Sequence, residues 1–162
     1  PLDPEPRRPF WGTPPCPPPA EGWPEVPEWS NIEPTPPELI PGRVSVVVFR
    51  PTPNQVVLVV ATSQPDAAEA LLRPVYGESL CIVAATWTPD QLEEVRQALH
   101  QHWEQWGVNE VSDLVGDDAQ VTVTAKVVRV LPEMAEWHAS TPFGICAVSP
   151  WLSPTSAEPS AT

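Results

Sequence analysis

Fifteen of the chain's 25 prolines fall between Pro1 and Pro41, and that clustering restricts what the first part of the molecule can become. Proline has no amide hydrogen and a fixed φ, so it is excluded from helix interiors and from the paired side of a strand. Residues 1–42 also lack any sustained apolar period of 2 or 3.6. The expectation is a proline-rich extended arm of polyproline type, with a reach of about 130 Å at ~3.1 Å per residue. Its apolar content is unusual for a solvated linker. Phe10, Trp11, Trp23, Trp29 and Ile32 are bulky groups on a segment with no core of its own. They read as anchors that either dock on a partner subunit or fold back over their own domain.

From Arg43 the pattern changes to that of a folded domain, expected over residues 43–152 and followed by a flexible tail at 153–162. A chain of 162 residues that is 41% hydrophobic can build one core of useful size. The runs VSVVVF and QVVLVVAT, separated by the turn-rich RPTPN, read as a hairpin. The second run is apolar on both faces, which marks a central strand covered twice or covered by the arm. Pro65 and Asp66 suit the first turn of a short helix that Pro74 is expected to stop. LCIVAATW is a strand. Thr88-Pro89-Asp90-Gln91 is a capping box that opens a long amphipathic helix ending at Gly107.

A second hairpin follows over VNEVSDLV and QVTVTAKVVRV, then a short helix opened by Pro132 and a last strand, FGICAVS. The order ββαβαββαβ predicts an α+β fold: a mixed or antiparallel sheet with helices packed on one face, ferredoxin-like in layout and preceded by the arm.

Charge narrows the partners. The formal net charge of −13 repels phosphate backbones and anionic lipid headgroups, so nucleic acid is disfavoured and cationic or neutral partners are favoured. No apolar run is long enough to cross a bilayer, so membrane association would need a segment outside this sequence. The first residue is Pro1 rather than methionine, as in a processed or truncated chain. Lys126 as the single lysine, with abundant Pro, Ala and Val, fits a GC-rich bacterial source.

Three cysteines cannot all pair internally. Cys81 and Cys146 sit in strand-like runs and would form a disulfide if those strands were neighbours; otherwise they are buried thiols. A disulfide points to an extracytoplasmic or membrane-complex setting, with the cytoplasm as the alternative. Neither thiol suits nucleophilic catalysis, because apolar burial raises a thiol pKa. No cysteine spacing approaches a metal-ligand pattern, and His100 and His102, two apart on a helix, cannot clamp one metal ion. No phosphate-binding glycine loop or nucleophile motif occurs, and no cofactor is expected.

These readings favour a non-catalytic protein-interaction or structural subunit whose arm docks on a neighbour in a larger assembly. The alternative is a small-molecule-binding or hydrolytic domain with a pocket lined by Trp103, Trp106, Trp137 and His138.

Overall fold

A computed structural model describes residues 10–25 and 35–151, and the fold over them is α+β. Its strands form two small sheets rather than one. The first sheet has the order β1-β2-β3-β4, from Phe10–Trp11 (β1), Arg43–Arg50 (β2), Val57–Thr62 (β3) and Leu80–Ala84 (β4). The second has the order β5-β6-β7, from Val108–Val115 (β5), Val121–Val127 (β6) and Cys146–Pro150 (β7). Three α-helices accompany them: α1 (Pro65–Tyr76), α2 (Pro89–Gln101) and α3 (Pro132–Ser140). The predicted element order is therefore present, but the pairing is not that of a single sheet.

The chain divides into two compact units. One runs to Pro89 and includes Val115–Gln120; the other comprises Asp90–Leu114 and the chain from Val121 onward. In the first, β2 and β3 are antiparallel while β4 returns parallel to β3 through α1. Parallel return needs a crossover, and α1 supplies it. β3 is buried at all six positions, which is the double cover that its two apolar faces require. Leu58 and Val60 point into a cluster with Ala68, Leu72 and Tyr76 of α1 and Leu80 of β4. Val57, Val59 and Ala61 point the other way, against Phe49, Cys81 and Ala119.

Pro74 does not stop α1. The helix runs past it to Tyr76 and ends at Gly77, whose φ of 57° is in the left-handed region. Arg73 supports this last turn by donating from Nη1 to Gly77 O (2.6 Å) and Leu80 O (3.3 Å). Gly77 lies just beyond the helix and Leu80 opens β4, so these bonds tie the end of α1 to the strand that follows.

The second unit repeats the plan of the first. A hairpin of β5 and β6 leads through α3 to β7, which lies parallel to β6. The correspondence extends to individual hydrogen bonds. Gly42 and Gly107, each with φ 61°, precede eight-residue strands. Gly42 O accepts from Ser63 N (2.9 Å), and Gly107 O accepts from Val128 N (3.0 Å), 21 residues on in each case. The end of each parallel pair is closed alike, by Ala85 N on Thr62 O and Trp151 N on Val127 O. A proline opens the crossover helix in both. The chain thus carries two ββαβ modules in tandem.

The two glycines give a graded test. A Cβ on Gly42 would lie 2.6 Å from Ser63 Oγ and 2.8 Å from Gln64 N, whereas on Gly107 it would meet nothing closer than 3.6 Å. Gly42→Ala therefore adds a clash to the left-handed penalty and should cost about 2–3 kcal/mol, against about 1 kcal/mol for Gly107→Ala. Urea midpoints of the two variants measure the difference; equal shifts would contradict the tighter packing at Gly42.

Candidate functional site

The described N-terminal residues lie on the first sheet. The backbone of Phe10–Trp11 pairs in parallel with Phe49–Arg50 at the sheet edge. Trp23 packs against the cluster of Phe49, Val57, Val59 and Ala61 on the face away from α1. Gln55 Nε2 donates to Trp23 O (2.9 Å), and Glu25 bridges to Gln55. Thr35 then reaches the end of α1, where its N–H donates to Tyr76 Oη at 3.0 Å. Trp29 and Ile32, the other two expected anchors, lie outside the described residues.

The disulfide joins Cys16 to Cys81, with a Cα separation of 5.8 Å, and Cys146 is a free buried thiol. This corrects the expected Cys81–Cys146 pair. Cys81 and Cys146 belong to different sheets, and Cys81 turns towards the face that the N-terminal segment covers. Burial pushes the Cys146 thiol up to about 11. The Cys16 sulfur also lies 3.7 Å from Ile82 O, but a disulfide sulfur carries no hydrogen, so this is a contact and not a hydrogen bond.

In the second unit the expected aromatic cluster exists in part. Trp106 is buried and stacks on His102 at 4.1 Å, with Trp137 tilted against it at 5.2 Å. Trp103 stacks instead on His100, at 5.4 Å. The polar contacts of the histidines are internal: His102 Nδ1 lies 2.9 Å from Ala98 O of its own helix, and His138 Nε2 lies 2.8 Å from Cys146 O. These rings are joined to backbone carbonyls, which fixes their orientation and leaves no carboxylate at either contact to activate them. Among the described residues no group of three His, Cys, Asp or Glu side chains could hold a metal ion.

One exposed apolar surface lies on α1, with a cleft beside it. Ala68, Leu72 and Tyr76 form its buried face at i, i+4, i+8. Its outward face is apolar as well: Ala67, Ala70, Leu71, Pro74 and Val75 are exposed, Leu71 at 42% and Val75 at 39%. Charge enters only at Asp66 and along one flank, where Glu69 and Arg73 form a two-pronged pair, Nε to Oε1 at 2.5 Å and Nη2 to Oε2 at 3.0 Å. The sequence signal for this surface was the scarcity of charge in PDAAEALLRPVY, which the reading of start and stop residues passed over.

Alongside that flank, at the outer edge of β4, is an open cleft of about 240 Å³. Pro17, Pro19 and Trp23 of the N-terminal segment form one wall and Leu80 and Ile82 of β4 another; Glu69, Arg73 and Glu78 supply its charge. No helix among the described residues is long and apolar enough to cross a membrane. Comparison with protein-family models, curated proteins and solved structures gave no match.

Proposed function

We propose that this chain is a non-catalytic protein-interaction or structural subunit, an acidic α+β module that docks on a partner within a larger assembly. The observation that carries this reading is the outward face of α1, where Leu71 and Val75 remain exposed one turn apart while Arg73 sits on the flank with Glu69. In this reading the N-terminal segment acts first as an internal strap, fastened by the Cys16–Cys81 bridge, and the partner contact moves to the helix that the strap flanks. The disulfide also supports an oxidising, extracytoplasmic setting, since such bridges persist where thiols are not kept reduced.

The test is to purify the protein from its source under non-reducing conditions, identify the chains that accompany it, and reconstitute the complex from purified components. Leu71→Asp with Val75→Asp should weaken the reconstituted complex by at least about a hundredfold, because each places a charge in a desolvated contact. Far-ultraviolet circular dichroism should be unchanged. A complex indifferent to both substitutions would overturn the reading.

A further inference from the structure

From the cleft beside α1 we infer the chemistry of that partner: the cleft takes a single basic side chain, lysine or arginine, from the partner protein. The inference rests on the interaction reading above and names what the same surface recognises.

The donors and acceptors in the cleft are unequal. Among the described residues Arg73 is its only cationic group, and it is committed to both carboxylate oxygens of Glu69 and to the carbonyls of Gly77 and Leu80. That pairing offsets its charge and uses four of its five N–H donors. Glu78 is exposed on the turn after α1, with no ion pair to it among the described residues, so the uncancelled charge in the cleft is negative. A ligand matching what is left must bring donors and positive charge.

The walls specify more. Pro17, Trp23 and Ile82 offer apolar surface leading to the carboxylate, the arrangement that accepts the alkyl stem of a long cationic side chain while its head reaches a charge. The indole of Trp23 adds a face on which a cation can rest. An anionic ligand would meet Glu69 and Glu78 with one guanidinium N–H of Arg73 left to receive it, and a purely apolar one would leave Glu78 facing it unpaired. The net charge of −13 brings cationic partners to the surface faster. The apolar face of α1 then receives the part of the partner beside that basic residue.

The probe is a set of blocked tripeptides, acetyl-Ala-Xaa-Ala-amide with lysine, arginine or norleucine at the centre. Each is titrated to ~10 mM into the intact, oxidised protein and followed by amide and indole NMR shifts. Lysine and arginine peptides should shift the Trp23 indole and the amides of Glu78, Leu80 and Ile82 saturably, whereas norleucine should not. Glu78→Gln should weaken binding at least fivefold by rough estimate, and Glu136→Gln, an exposed change in the other unit, should leave it unchanged. Equal response to norleucine, no saturable shift at those residues, or equal weakening by both substitutions overturns the inference. If the tripeptides fail while the complex still depends on Leu71 and Val75, the basic side chain alone is wrong; if the complex is indifferent as well, the interaction reading falls with it.

Discussion

Removing the Cys16–Cys81 bridge, by Cys16→Ala with Cys81→Ala, should destabilise the first unit by about 4 kcal/mol. The bridge spans a sequence separation of 65, and closing a loop of that length restricts the unfolded chain by roughly this amount. The folded state loses support too. Pro14, Pro15, Pro17, Pro18 and Pro19 have no N–H to give, so few hydrogen bonds hold the strap once the sulfurs part. Among the described residues the contacts that remain are the short β1–β2 pairing, the Gln55–Trp23 bond, the Glu25–Gln55 bridge, the Thr35–Tyr76 bonds and the packing of Trp23.

Urea unfolding of the oxidised protein and the double variant gives the difference directly; a shift below about 1 kcal/mol would mean that the strap stays ordered without its bridge. A thiol count without reductant should find one thiol per unfolded chain, that of Cys146. In the folded protein at pH 8 that thiol should react about a hundredfold more slowly than an exposed one, since a thiol titrating near 11 is almost wholly protonated there. Three thiols in the unfolded, unreduced chain would remove the bridge from the account.

Adjacent leucines on α1 should behave oppositely. Leu72 is fully buried among Leu58, Val60, Tyr76 and Leu80, so Leu72→Ala should cost about 3 kcal/mol through lost contact and an unfilled cavity. Leu71 points outward, so Leu71→Ala should change stability by no more than about 0.5 kcal/mol, alanine being the better helix former. Its effect should appear in the affinity of the reconstituted complex instead. The pair separates packing from recognition on one turn of helix. Matching losses of stability would mean that the outward face is enclosed in the folded protein.

The order of strands and helices could be read along the chain because each element carries its own pattern. β3 reads as a doubly covered strand and is buried throughout. VNEVSDLV and QVTVTAKVVRV read as neighbouring strands, and in the turn that joins them Asp118 Oδ1 accepts from Gln120 N at 3.0 Å. Pro74 misled because it stands two residues before the last residue of α1, where its missing N–H forgoes a single helical bond, and the helix ends at Gly77 directly afterwards. Cys81 misled for a different reason. Strand periodicity gives alternation, but which face meets which neighbour depends on pairing among distant residues.

The site was less legible than the fold. Trp23 reads in sequence as an anchor for a partner or for its own domain, and the sequence could not say that it would pack on its own sheet. The cleft beside α1 joins residues from the strap, the helix and β4, and no local pattern unites Trp23, Arg73 and Ile82. Only the outward face of α1 left a trace, in a twelve-residue helix with three charged side chains.

By itself the sequence determined the local chemistry: where proline forbids regular structure, where alternation makes strands, where caps begin helices, and that a net charge of −13 turns the surface towards cations. The tertiary structure alone decided that the strands form two sheets, that Cys81 joins Cys16, that Cys16 and Trp23 pack on one face of the first sheet, and that a cleft lined by Glu69, Arg73 and Glu78 opens beside α1. The division has one physical cause. Backbone preferences act over a few residues and are written in neighbouring positions, whereas pairing, facing and enclosure depend on which distant surfaces exclude water together.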